Sequence, residues 1–264
     1  MLDILILGCG YTGRRVARLF QARGARVTAT TRDPLRLTDS GIESIRCSEL
    51  AAHVRPGMLV LHSIPPPEPP DLLDPLRNIA ARVVYLSSTA VYGAASLVNA
   101  ATPVDRGTER ARRRLDAEQA IADGPWSSLI LRPAAIYGPG RGVHQSIRDG
   151  AHSLSERFVS RIHVDDLAAH VEAALLSPVC GAYPVADEEP CTSLQIAEFC
   201  AGLLNLPVAG AFHTETQREP RFAANRRVDG SAIRKALGIT LQYRSYRVGI
   251  PAILSAEAAA CHQP

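Results

Sequence analysis

The sequence predicts an α/β fold: a doubly wound parallel sheet between helical layers, with a small C-terminal cap lobe. Three observations carry that expectation. Short apolar, β-branched runs alternate with helical patterns over the first third of the chain, as successive βαβ units require. A glycine-rich turn, Gly8-Cys9-Gly10-Tyr11-Thr12-Gly13, stands directly between the first apolar run and the first helical pattern. At 264 residues, 46% hydrophobic and 21% charged, the chain has room for one large domain, or for a domain with a small appendage.

The elements follow in order. Ile4 to Leu7 reads as the first strand. Tyr11 to Arg23 reads as a helix, with Val16, Leu19 and Phe20 at helical spacing and Gly24 as its stop. Arg26 to Thr31 is a β-branched second strand, and Ile42 to Arg46 is a weaker third. Met58 to Ile64 is a fourth, halted by Pro65-Pro66-Pro67. Val83 to Leu86 and Ser128 to Leu131 make the fifth and sixth strands, and between them lies a long helix over about Glu109 to Ala122. Gly138-Pro139-Gly140-Arg141-Gly142 is a turn-rich loop. Helical patterns return at Val164 to Leu176, Ser193 to Leu204 and Ser231 to Leu237, and the rest of the tail reads as turns and short helical stretches. Residues 1–140 therefore form the main domain, completed by about 161–178, and the remainder of 141–264 forms the cap lobe over the sheet's C-terminal edge.

Composition narrows the function. A net charge of +3 is too small to argue for nucleic acid, and the densest basic run, Arg110 to Arg114, lies inside a helical pattern. The six cysteines show no CxxC pair and no zinc spacing, so no metal site is expected and a reducing cytoplasm is. The N-terminal apolar run is too short for a membrane span and has no basic lead-in, so neither a signal peptide nor a membrane partner is expected. Of the 29 basic residues only Lys235 is a lysine, so any mechanism that needs one has a single candidate.

The glycine turn points to a dinucleotide. In a Rossmann strand–turn–helix, Gly8 permits the tight turn, Gly10 lets the backbone approach a pyrophosphate, and Gly13 lets helix and strand pack closely. With Tyr11 and Thr12 they form the loop at the helix start, whose free N–H groups receive the phosphate charge. At the end of the second strand an NAD-selective protein places an Asp or Glu for the ribose 2′-OH. Here the residues are Thr30-Thr31-Arg32-Asp33. The hydroxyl of Thr31 and the guanidinium of Arg32 suit a 2′-phosphate, while Asp33 comes one residue late, so NADP(H) is preferred and NAD(H) is the alternative.

Three further segments carry a family resemblance: Val84-Tyr-Leu-Ser-Ser-Thr-Ala-Val-Tyr-Gly93, Leu131-Arg-Pro-Ala-Ala-Ile-Tyr-Gly-Pro-Gly140 and Arg161-Ile-His-Val-Asp-Asp-Leu167. With the glycine loop they resemble, in the expected order, the extended short-chain dehydrogenases of the NAD-dependent epimerase/dehydratase family. The short tail looks more like an atypical branch. The likeness spans about residues 1–200. It implies that Ser88 holds the active-site hydroxyl position, with Ser87 beside it, and that His62, Ser63 and Ile64 line the cofactor. It places Pro133 to Ile136, including Ile136 itself, near the nicotinamide, and it makes His163 and Asp166 structural ties.

The chain departs from the family where the chemistry sits. No tyrosine has a lysine four residues on; aligning the long helix through Glu118 puts Arg110 in the tyrosine slot and Arg114 in the lysine slot. Arginine keeps its proton above pH 12 and is no ordinary acid–base group. Three readings stay open. One is an NADP-dependent oxidoreductase or isomerase for a small polar or anionic substrate, using Ser88, Arg110 and Arg114. The second is a non-catalytic NADP(H) sensor acting through a protein partner, and the third is a scaffold with a residual nucleotide site. Monomer and homodimer both fit.

Overall fold

The computed structural model describes residues 1–32, 37, 40–150, 152, 154–206 and 225–261. The chain opens with β1 (Asp3–Leu7), α1 (Gly13–Ala22), β2 (Arg26–Thr30), β3 (Glu43–Ile45), α2 (Leu50–His53), β4 (Met58–His62) and β5 (Ala80–Leu86). It continues through β6 (Leu97–Val98), α3 (Glu109–Ala122), β7 (Ser127–Pro133), β8 (Ala135–Tyr137), α4 (Val143–Arg148), β9 (Phe158–Val159) and β10 (Arg161–His163). The last third holds α5 (Val164–Leu176), β11 (Gly181–Val185), β12 (Cys191–Thr192), α6 (Ser193–Leu204), β13 (Arg227–Val228), α7 (Ser231–Leu237) and α8 (Tyr246–Cys261).

Seven strands form one sheet in the order β11-β7-β5-β4-β1-β2-β3, every neighbouring pair parallel. Ile4 to Leu7 are wholly buried, as a strand covered on both faces must be. Ile4, Ile6, Leu61 and Val84 pack with Val16, Phe20, Leu167 and Val171 of α1 and α5. On the other face Leu5, Leu7, Val60 and Tyr85 pack with Ile121 of α3 and Trp126. The strand order departs in both directions from the β1/β4 pair. That opens a crevice at their C-terminal ends, where such folds bind ligands.

Several short elements are not expected from the sequence, and two longer ones depart from its reading most. The sheet is completed by β11, beyond the segment ending near 178, with Tyr183 opposite Leu131. Gly181 and Pro184 give that strand a turn-like composition, and Pro184 is tolerated because β11 is an edge. The tail, read as turns and short helices, contains the 16-residue α8. Gly249 and Pro251 disguise it. A Cβ on Gly249 would lie 2.3 Å from the Tyr137 hydroxyl, so the glycine is there to let the helix approach β8. Tyr246, Ile250 and Ile253 then bury one face of α8 against Ile147, Ile196 and Cys200 in a separate small core. The later segments also return to the main domain, since β13 pairs with β6 and β10 with β8.

Candidate functional site

The site begins at the glycine turn. Gly8 leaves β1 at φ 85°, and a Cβ there would lie 2.8 Å from the Ile64 side chain. Its N–H donates to the Thr30 hydroxyl at 2.9 Å, and the Cys9 N–H donates to the Thr30 carbonyl at 2.9 Å, tying the turn to the end of β2. A Cβ on Gly13 would stand 3.1 Å from the Gly8 carbonyl oxygen and 3.2 Å from Ile6, so this glycine admits α1 against β1. Gly10 differs: a Cβ there would meet nothing within 4 Å. The space beside it lies open at the start of α1, where Thr12 makes no side-chain cap and no acid neutralises the first turn. A dinucleotide pyrophosphate fits that combination of open backbone and uncompensated helix dipole. Tyr11 faces the other way, its hydroxyl donating to the Pro139 carbonyl at 3.0 Å beneath the 138–142 loop.

Across the crevice, the Ser63 N–H donates to Leu7 O and its hydroxyl donates to Gly8 O, both at 2.8 Å. Ser63 and Ile64 thus join the glycine turn to the proline loop that follows. The His62 imidazole does not line the crevice: it is fully buried, 3.0 Å from the Glu68 carboxylate and edge-on to the Tyr85 ring at 5.0 Å. Period-two alternation sends it to the α3 side of the sheet. At the far end, Thr31 is half-buried with its N–H on Ile45 O at 3.2 Å, and Arg32 is exposed just past β2. Asp33 lies outside the described residues. Because Thr30 pairs with Ile45, the exposed Arg46 follows at the same strand ends, its N–H donating to the Glu49 carboxylate at 2.7 Å. In the sequence Arg46 only closes a weak strand, with no motif to mark it.

At the other end of the crevice stand β5, β7 and α3. Ser87 is buried, its hydroxyl without a hydrogen-bond partner among the described residues. Ser88 is half-buried and accepts the Ala90 N–H at 3.2 Å, capping a short turn, and its own O–H has no acceptor among the described residues. Pro133 is buried at the end of β7, and Ile136 is half-buried in β8. Thr108 caps α3 through the Ala111 N–H at 3.1 Å. The roll of α3 is set by a buried ion pair: Arg132 of β7 grips both Glu118 oxygens at 2.6 to 3.2 Å and also donates to the Tyr92 hydroxyl at 3.2 Å. Arg114 then reaches β5, donating from Nη1 to Leu86 O at 3.2 Å and to the Tyr85 hydroxyl at 3.3 Å.

The result is a cleft of 390 Å³ lined by Pro65, Pro66, Glu109, Arg110, Arg113 and Arg114. Both slots that the resemblance assigns to tyrosine and lysine open on it. The nearby Tyr85 phenol is no substitute acid: burial pushes it up to about 12, against a smaller opposing effect of the Arg114 charge. Among the described residues no cluster of three or more His, Cys, Asp or Glu could hold a metal ion, and no helix is long and apolar enough to cross a membrane.

His163 and Asp166 do structural work at a distance. His163 accepts the Asp165 N–H at 3.2 Å at the start of α5 and packs on Tyr243 at 3.8 Å; burial lowers its pKa to about 4. The Asp166 carboxylate accepts the N–H groups of Gln242 and Tyr243 at 2.8 and 2.9 Å, holding the segment before α8 to α5.

No family model matches the chain. A 3-diazoavenalumate denitrifying reductase from a Streptomyces species is 26% identical over 94% of this chain and 99% of its own length. A conserved protein of unknown function from Silicibacter pomeroyi is 29% identical, with a TM-score of 0.82 over 97% of this chain and 99% of its own. A protein from Methylobacillus flagellatus, assigned to the NAD-dependent epimerase/dehydratases, is 26% identical with a TM-score of 0.75 over 97% and 99% of the two chains. The human epimerase family protein SDR39U1, solved with NADPH, shares the fold at 18% identity and a TM-score of 0.74, over 96% of this chain and 99% of its own.

Proposed function

We propose that this chain, which shares the fold of NAD-dependent epimerase/dehydratases and resembles a reductase along its length, is an NADP(H)-dependent oxidoreductase acting on a small anionic substrate. One observation carries the reading. The glycine turn and the arginine cleft share a wall: Ser63 bonds Gly8, Ile64 packs on it, and Pro65 and Pro66 line the cleft next along the chain. A dinucleotide seated on the turn would therefore have its far end beside Arg110 and Arg114. A protein that only sensed the cofactor would need no such cleft there. The similarity to a reductase over nearly the whole chain supports the same choice.

In this reading Gly8, Gly10, Thr12 and Gly13 present the pyrophosphate site, with Tyr11 bracing the turn from the far side. Ser63 and Ile64 set the wall, and Ser87, Pro133 and Ile136 border the nicotinamide end. Thr31 and Arg32 take the 2′-phosphate, with Arg46 beside them. A bound nicotinamide supplies or accepts a hydride. Arg114, anchored from below on Leu86 O and Tyr85, stands where the family lysine would and contributes fixed positive charge beside the nicotinamide end. Ser88 keeps a proton to donate, while Arg110 orients substrate rather than exchanging protons.

The test is calorimetric titration with NADPH, NADP⁺, NADH and NAD⁺ at one salt concentration, repeated with Arg32→Glu. The phosphorylated pair should bind at least tenfold more tightly, and the substitution should reverse the order. Equal affinities in both proteins would remove the NADP preference. Binding of the reduced and oxidised forms with unequal affinity, and no NADPH consumption across a panel of anionic carbonyl compounds, would favour the sensor.

A further inference from the structure

The arginines of the cleft are not equivalent. Arg113 is spent on an ion pair with Glu109 one turn back on α3. Arg114 is fixed through Nη1 and lines the cleft, and its Nε and Nη2 make no hydrogen bond among the described residues. Arg110, four residues earlier and so on the same helical face, has no ion pair among the described residues. Arg110 sits in the first turn of α3 and Arg114 one turn on, and the roll of the helix is locked by the buried Glu118–Arg132 pair. The opposite wall is Pro65 and Pro66, which offer ring carbons and no N–H donor.

A ligand complementary to this cleft has a planar anion at one end and an apolar body. We propose that Arg110 and Arg114 clamp the carboxylate of the substrate, with its apolar or aromatic body lying along Pro65 and Pro66. This rests on the oxidoreductase reading and names its substrate class. Guanidinium forks match a carboxylate in shape as well as charge. A cleft of 390 Å³ is of a size for a small molecule rather than a nucleotide sugar in addition to the cofactor's end.

The experiment titrates the full chain with benzoate and with benzamide, its uncharged counterpart, once without dinucleotide and once saturated with NADP⁺. Benzoate should bind in both states, at least tenfold more tightly than benzamide. Arg110→Gln should lower benzoate affinity about tenfold and leave NADP⁺ affinity within twofold. Arg112→Gln removes the same charge from the same helix, but its guanidinium bonds the Arg106 and Gly107 carbonyls outside the cleft, and it should change neither. Competition between benzoate and NADP⁺ would overturn the clamp by assigning both arginines to the cofactor. Equal binding of benzoate and benzamide, or equal losses in the two variants, would overturn it as well. If no dinucleotide binds but benzoate binding still depends on Arg110, the clamp stands and the cofactor reading falls.

Discussion

Replacing Glu118 by glutamine removes one charge from an ion pair whose side chains are only 5% and 10% exposed. The isostere keeps the volume, so the change isolates charge. Arg132 would remain buried with the Tyr92 hydroxyl at 3.2 Å, which can accept a hydrogen bond but cannot neutralise it. Breaking a buried pair from one side costs about 3–5 kcal/mol, because the surviving ion is left in low dielectric. Against a typical total of about 5–15 kcal/mol, that is about a fifth of the stability or more. With a urea slope of about 3 kcal/mol/M, the midpoint should fall by about 1–1.7 M. Glu109→Gln, which breaks an exposed pair on the same helix, should cost under about 1 kcal/mol. Removing both buried charges, as in Glu118→Leu with Arg132→Met, should recover most of the loss. A Glu118→Gln protein within about 1 kcal/mol of the parent by urea denaturation would refute the claim that this pair locks α3, and with it the account of how Arg110 and Arg114 come to line one cleft.

The glycines of the turn should separate stability from binding. Gly10→Ala meets open space and should leave the thermal midpoint unchanged while weakening NADP⁺ at least tenfold by calorimetry, whereas Gly8→Ala, at φ 85° and against Ile64, should lose about 1–3 kcal/mol of stability. Stability should also depend on pH in two opposed ways. Burial holds His170 neutral, its pKa lowered from 6.5 to about 4, so its contribution is fully present above pH 6.5 and is lost as pH falls toward 4. Burial raises the Asp187 carboxyl from 3.8 to about 8, so the folded chain keeps a proton that the unfolded chain releases, and stability declines as pH rises toward 8. From these two groups the opposed effects cancel between about pH 4 and 6.5, so the thermal midpoint should be nearly level there and fall between 6.5 and 8, and Asp187→Asn should remove that fall; an unchanged decline in the variant would assign it elsewhere.

Legibility in the sequence followed how local the physics was. The glycine turn, α3 and α5 are written in short-range signals of strand, spacing and helix period, and the structure has α3 and α5 within the residues expected. Helix α8 and strand β11 were hidden because their glycines and prolines answer to tertiary neighbours: Gly249 to the Tyr137 hydroxyl, and Pro184 to an edge with no further strand. The same distinction holds in the site. That Arg110 and Arg114 share a helical face follows from a spacing of four, but the Pro65–Pro66 wall opposite them and the turn of Glu68 back onto His62 depend on a loop conformation that no periodicity encodes.

The missing tyrosine and lysine have different structural consequences. An arginine in the lysine slot preserves what that position does by charge and hydrogen bonding, since Arg114 reaches the end of β5 and is anchored there. An arginine in the tyrosine slot preserves nothing of proton transfer, because its proton stays on above pH 12. The anchor itself offers no replacement: the Tyr85 phenol touches Arg114 but is wholly buried and pushed up to about 12, and His62 behind it faces Glu68 rather than the crevice. A reaction in this cleft must therefore draw any proton it needs from Ser88, from the Glu109 carboxyl that lines it, from water or from the substrate itself. The rate should then follow the substrate's own ionisation more closely than that of any side chain beneath the cleft floor. A pH–rate profile that instead broke at the same pH for substrates of different acidity, and shifted on Tyr85→Phe, would show that the buried phenol takes part after all.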